Sequence, residues 1–261
     1  MKATEWVVPT DLDIPLLESL VAQGPTAVFA TVSGAHLYGF ASPDSDVDLR
    51  GAFVQTLGER LRLRPSDETI TIMRDQDGLE LDWVAHDVRK FAKLMTQRNG
   101  YVLEQLFSPL VVVGGEWHEE LKSIGRGCIV RHLYHHYRGF AQTQRKALAS
   151  SSAKVKDLLY AYRVYLTGVH VLRTGEVEAN LASLAEERGD ADIQALIGRK
   201  VTGREKEALD PEETRLHLGS LDRLEEELME AFETSTLPDE PTTFDLLSDF
   251  VVRAATELGG E

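Results

Sequence analysis

The apolar pattern of this chain changes period once, near residue 113, and that change restricts the folds open to it. Before it, β-branched and aromatic runs over 26–33 (TAVFATVS), 46–54 (DVDLRGAFV), 68–73 (ETITIM) and 79–85 (LELDWVA) read as strands, the last two joined by a turn ending Asp77-Gly78. Residues 13–23 have helical spacing, with Ile14, Leu17, Leu20 and Val21 on one face. A helix follows Asp87, a suitable N-cap, with Val88, Phe91, Leu94 and Met95 on one side, and a short one follows around 100–107. Beyond the change, 129–149, 155–174, 179–187, 191–200, 212–234 and 243–257 carry apolar residues at three- and four-residue intervals only. The expectation is an α+β region of mixed α/β type followed by an all-α helical domain, divided as 1–120 and 121–261 with the break inside 114–127.

Charge divides along the chain as well. Net charge is −15, yet residues 1–175 carry 20 basic and 20 acidic side chains, so the excess lies in 176–261. This argues against a broad phosphate-neutralising surface for long nucleic acid. Within 122–163, nine cations (Lys122, Arg126, Arg131, Arg138, Arg145, Lys146, Lys154, Lys156, Arg163) face only Asp157. They would repel one another unless neighbouring acids or a polyanionic ligand offset them. The single cysteine, Cys128, excludes an internal disulfide and reads as a small buried apolar residue. No run of about 18 apolar residues and no basic-then-apolar leader occurs, so no membrane association and a cytoplasmic location are expected.

The sharpest local feature is Asp46-Val47-Asp48, directly after a turn rich in Gly and Ser. In an extended strand, side chains at i and i+2 share a face, so the two carboxylates stand together and resist ionising together. A divalent cation removes that penalty, and magnesium, a hard ion that leaves positions for water and phosphate, suits the role. Asp82, mid-strand between Leu81 and Trp83, is the best third acid, with Glu80 as the alternative or a fourth ligand. Such a site would activate an attacking hydroxyl and steady a leaving pyrophosphate. Ser33-Gly34-Ala35, after a strand, offers backbone N–H groups that a triphosphate can approach because Gly34 has no side chain. Arg50 shares the Asp46/Asp48 face if the strand continues past Leu49. His36 and Tyr38 either line the pocket or pack the loop. His132, His135 and His136 have metal-ligand spacing, but no carboxylate or cysteine nearby completes a set.

Gly34-Ala35-His36-Leu37-Tyr38-Gly39-Phe40 followed by Ser42-Pro43-Asp44-Ser45-Asp46-Val47-Asp48-Leu49-Arg50-Gly51 resembles the signature of the DNA polymerase β nucleotidyltransferase superfamily. Within it, the chain is similar to the branch of predicted nucleotidyltransferases of the RNA-repair-pathway DNA polymerase β family. The likeness continues through Asp82–Phe91, Asn99–Glu104, His136–Ala141 and Tyr162–Gly168, and so covers roughly residues 25–180. It implies a nucleotidyltransferase fold and an enzyme that moves a nucleoside monophosphate from an NTP such as ATP to an acceptor hydroxyl. It also implies Mg2+ or Mn2+ held by Asp46, Asp48 and Asp82, the catalytic acids. Since the helices of that family close over the site, Lys154, Lys156, Tyr162 and Arg163 become candidates for the triphosphate, beside Ser33, Gly34, Ala35 and Ser45. His135, His136 and Arg138 become candidates for the acceptor.

One departure is that the superfamily has Gly-Ser where this chain has Gly34-Ala35, so either backbone amides with Ser33 or Ser45 replace the missing hydroxyl, or nucleotide affinity falls. The basic stretch favours an acceptor such as a short nucleic-acid end or tRNA. The alternative is a catalytically weak or inactive member of the same fold, a nucleotide sensor or a toxin–antitoxin partner. Neither the base, nor the acceptor, nor the oligomeric state is legible.

Overall fold

A computed structural model of the chain describes residues 12–43, 45–64, 66–76, 79–148, 154–203 and 209–259. Asp44 of the matched motif, and Asp77 and Gly78 of the expected turn, lie outside them. Five strands form one mixed sheet in the order β3-β4-β2-β1-β5. They are β1 (Ala27–Val32), β2 (Val47–Phe53), β3 (Thr69–Gln76), β4 (Leu79–Asp87) and β5 (Val111–Val113). β2 runs parallel to β4, and the remaining neighbours are antiparallel.

Alternation sorts the faces of the central pair. Val47 and Leu49 on β2, and Leu81, Trp83 and Ala85 on β4, are buried, whereas Asp48, Arg50 and Asp82 between them are only partly covered. The chain therefore has one apolar face to pack and one polar face left for chemistry. Helices α4 (Val88–Thr96) and α6 (Glu116–Gly125) meet the sheet at Phe29 of β1. Its ring lies edge-on to Phe91 at 5.2 Å and stacks on His118 at 4.6 Å. Asp87 ends β4 and caps α4, accepting from Arg89 N at 3.0 Å, as its sequence position predicts. Asp13 caps α1 (Ile14–Val21) in the same way, accepting from Leu16 N.

Two short helices, α2 (Gly34–Leu37) and α3 (Leu57–Arg60), follow β1 and β2, and α5 (Gly100–Phe107) follows α4. The rest is helical: α7 (Leu133–Leu148), α8 (Val155–Thr174), α9 (Leu181–Arg188), α10 (Ala191–Thr202), α11 (Pro211–Thr234) and α12 (Phe244–Glu257). The buried α8 packs against α7, α9, α10 and α11. Gly168 makes this closeness possible, because a Cβ there would stand 2.8 Å from both Leu228 and Tyr137. One continuous apolar core runs from Leu17 to Ala254, and α12 turns back to pack on α4 and α6. The change of period near 113 thus marks a change of architecture without separating two cores. Among the described residues, no helix is long and apolar enough to cross a membrane.

Candidate active site

The parallel register of β2 and β4 places Asp48 opposite Asp82 and Arg50 opposite Val84. Since β2 continues to Phe53, Arg50 shares the face of Asp48. One of its terminal nitrogens donates to Asp48 Oδ1 at 2.7 Å and to Asp82 Oδ2 at 3.0 Å. The other donates to the Leu49 and Asp82 carbonyls, both at 2.8 Å, and Nε donates to the Tyr101 hydroxyl at 3.1 Å. Asp82 Oδ1 is buried and has no partner. Asp46, exposed just before β2, lies within electrostatic range of Asp48. Burial pushes the Asp48 carboxyl above the ordinary carboxylate range, Arg50 pulls it back, and Asp82 and Asp46 push it further up.

Gly34 is what lets the loop after β1 reach these acids. Its φ is +62°, and a Cβ there would fall 1.9 Å from Asp48 Oδ2, so only glycine can lie on this carboxylate. Ser33 N donates to the Asp48 carbonyl at 2.8 Å and ties loop to strand. Ser33 Oγ is fully buried without a partner, and Ala35 is partly buried. Ser45 Oγ is engaged by Ser42 N at 3.0 Å and Ser42 Oγ at 3.1 Å, and the latter also receives Lys200 Nζ at 2.6 Å. Ser45 is therefore committed to Ser42, while Ser33 keeps an unpartnered hydroxyl that is enclosed beside the loop.

A cavity of about 420 Å³ opens from Asp48 and Gly34. Asn99 and Tyr101 from the start of α5, and Tyr38 from the end of α2, wall it on the sheet side; His136, Phe140 and Tyr160 from α7 and α8 close the other. His36 is not part of the wall. Burial pulls His136 down to about 4, with the Arg163 charge adding to the effect, so its ring is neutral near pH 7. His136 Nε2 is buried without a partner. Sequence reasoning left His136 among acceptor candidates and did not single out Tyr101, Phe140 or Tyr160, whose helical spacing reads equally well as core.

The four triphosphate candidates from the helical half separate. Lys156 lies 6.0 Å from the ring centre of Tyr160, at the cavity rim, and Lys154 precedes α8 with its N–H on Asp157. Arg163 is 0% exposed and donates one nitrogen to both oxygens of Glu104 at 2.7 Å. Its guanidinium lies 4.1 Å from the Tyr38 ring centre and 5.4 Å from that of Phe140. It stands behind the cavity wall, out of reach of a phosphate. Tyr162 is turned away to bond His217 Nδ1 at 2.8 Å and lines a different cleft with Arg188 and Glu227. Arg163 shares the face of α8 that carries Lys156 and Tyr160 but is held deeper, against the back of Tyr38 and Phe140, whereas Tyr162 lies on another face.

At least five of the nine cations in the basic stretch are met by neighbouring acids. Arg138 meets Glu225, Arg145 meets Asp222 and Glu225, Arg131 meets Asp239, Lys122 meets Glu119, and Arg163 meets Glu104. Acids of α11 and the segment after it supply most of the offsetting charge. His132 joins Arg131 near Asp239, at 3.5 Å, and stacks with His135.

Among the described residues, no three His, Cys, Asp or Glu side chains form a ready-made metal cage. The carboxylates nevertheless suit a divalent ion: two face each other on paired strands, a third lies near, and Asp82 Oδ1 lacks a partner. Magnesium commonly takes one or two protein carboxylates and completes its shell from water and substrate phosphates.

Comparison with known proteins bears on the family to which the motif is similar. The profile of the RNA repair pathway DNA polymerase beta family matches residues 14–253. An uncharacterized protein of Methanocaldococcus jannaschii, MJ0002, is 32% identical over 163 residues, 60% of this chain and 64% of that protein. The chain thus spans less than two thirds of that curated relative. A nucleotidyltransferase-like protein from Exiguobacterium sibiricum 255-15 aligns over 92% of this chain and 75% of its own, at 13% identity and a TM-score of 0.31.

Proposed function

The chain belongs to the RNA repair pathway DNA polymerase beta family, and on that premise we propose that it is a metal-dependent nucleotidyltransferase. It moves a nucleoside monophosphate from an NTP to the hydroxyl of a short nucleic-acid end, with release of pyrophosphate. The observation that carries this reading is the register that sets Asp48 against Asp82 beneath the Gly34 turn. A magnesium or manganese ion on Asp48, Asp82 and Asp46 would supply positive charge to the triphosphate and lower the pKa of the attacking hydroxyl. Asp82, with one oxygen unpartnered, is placed to receive the proton of that hydroxyl. Gly34 leaves the loop backbone open to the phosphates, and Lys156 at the rim adds a cation. Tyr38, Tyr101, Phe140 and Tyr160 offer ring faces on which the nucleoside can stack. A cytoplasmic location belongs to the same reading.

The test is incubation with each α-labelled NTP, in Mg2+ or Mn2+, with tRNA, single-stranded RNA or protein as acceptor. Labelled RNA and equimolar pyrophosphate are expected, with turnover lowered about 10²–10⁴-fold by Asp82→Asn. Absence of label in every acceptor, and of pyrophosphate, would refute the transfer.

A second reading, a nucleotide sensor or toxin–antitoxin partner of the same fold, is favoured by one observation. Position 35 lacks a hydroxyl, and Ser33 and Ser45 are committed elsewhere or buried. A sensor binds NTP and releases no pyrophosphate, so the same assay separates the two.

A further inference from the structure

Arg50 puts a cation where an ion bridging Asp48 and Asp82 would stand. A single nitrogen serves both carboxylates, at 2.7 and 3.0 Å, while the remainder of the group is pinned by two backbone carbonyls and the Tyr101 hydroxyl. A guanidinium is planar and rigid, so its three nitrogens move as one body, and it cannot shed its proton to make way. An ion entering between the acids must therefore lift the whole fork, Tyr101 contact included. The Arg50 side chain is only 12% exposed, so little water screens the repulsion between the two cations if both stay.

We propose that Arg50 is a built-in competitor for the active-site metal and that Tyr101 is the latch holding it in place. The inference rests on the metal-dependent reading above and goes beyond it. Arg50 offsets part of the charge of two facing carboxylates and keeps them in position, and it raises the ion concentration at which the site fills. The sequence feature responsible is the two-residue spacing of Asp48 and Arg50 on a strand that continues to Phe53. A strand ending at Leu49 would release the guanidinium from this face. Tyr101 reaches it because Asn99 starts α5 at that point, accepting from Tyr101 N at 3.1 Å.

The test is Mn2+ binding without nucleotide, read by electron paramagnetic resonance of the free ion and by ion-induced shifts in Tm. It compares the full-length protein with Arg50→Met, Arg50→Lys and Tyr101→Phe, each checked for folding by circular dichroism. Arg50→Met is expected to bind Mn2+ about tenfold more tightly, a change that corresponds to about 1.4 kcal/mol. Tyr101→Phe should tighten binding about twofold, and Arg50→Lys should fall between the parent and Arg50→Met. Unchanged or weaker binding by folded Arg50→Met overturns the proposal. If that variant does not fold, the same result in Tyr101→Phe overturns it. Equal Mn2+ affinity in all forms removes only the role of Arg50, whereas no binding by any form removes the metal-dependent reading as well.

Discussion

At position 35 the missing hydroxyl defines a measurable deficit. A hydrogen bond to a charged group contributes on the order of 1.5–3 kcal/mol; Ser45 is engaged by Ser42, and the unpartnered Ser33 hydroxyl is buried away from solvent. Ala35→Ser is therefore expected to tighten NTP binding about tenfold or more, as read by calorimetry. His136 gives a second expectation, in pH. Its folded value is about 4 against an ordinary 6.5, a depressed base, so the stability linked to it is present above pH 6.5 and is lost as pH falls toward 4. Urea melts at pH 7 and pH 4.5 should show that His136→Gln lessens the acid loss by up to roughly 3 kcal/mol. Equal acid sensitivity in both proteins would mean that His136 is freely solvated. Asp46 and Asp48 could be paired from spacing alone, because alternation on a strand is a property of the backbone; Asp82 is preferred to Glu80 on its mid-strand position and the family resemblance. That Arg50 stands between two of them could not, since it depends on where β2 ends.

Between elements, the Glu104–Arg163 pair joins α5, whose start carries Tyr101, to α8, which carries Tyr160. Both side chains are fully or almost fully buried. Burial pushes the Glu104 carboxyl up, and the Arg163 charge draws it back. Removing one partner strands the other charge, so Glu104→Gln is expected to cost about 3–5 kcal/mol, whereas replacing both with apolar residues should recover much of it. Denaturant midpoints of the single and double variants measure this, and a single-variant loss below about 1 kcal/mol would exclude a structural pair. The expected strands and long helices correspond closely to the observed elements, α8 over 155–174 among them. Three of the labelled elements went unread, the one-turn α3 among them. β5 spans three residues, too few for alternation to register. α6 falls in the stretch taken as a boundary, and its buried stripe of His118, Leu121 and Ile124 is narrow and begins after two glycines.

Over the whole molecule, Asp222, Glu225 and Asp239 of the acidic half offset Arg131, Arg138 and Arg145 of the basic stretch. That pairing ties α7 to α11 at a partly exposed seam and takes Arg138 and Arg145 out of any phosphate-binding surface. The protein should accordingly bind long duplex DNA weakly, with a salt dependence equal to only about one or two phosphate contacts. Asp222→Asn with Glu225→Gln frees Arg138 and Arg145 and should strengthen that binding and steepen the slope. Fluorescence anisotropy across a salt titration checks both, and identical slopes would show that the seam cations are already available.

Periodicity, capping residues and the Asp-x-Asp spacing are local properties, set by backbone geometry over a few residues. The strands, the long helices and the pairing of Asp46 with Asp48 as candidates were therefore legible in the linear chain. Which cations meet acids, which side of α8 faces the cavity and which loop touches Asp48 depend on contacts between residues far apart along it. Arg163 and Glu104 are 59 positions apart, and Arg145 and Asp222 are 77. Tyr162 turned to another cleft because packing chose the rotation of α8, and Arg163 was withdrawn behind the wall because Glu104 of α5 holds it there; nothing local to either residue specifies it.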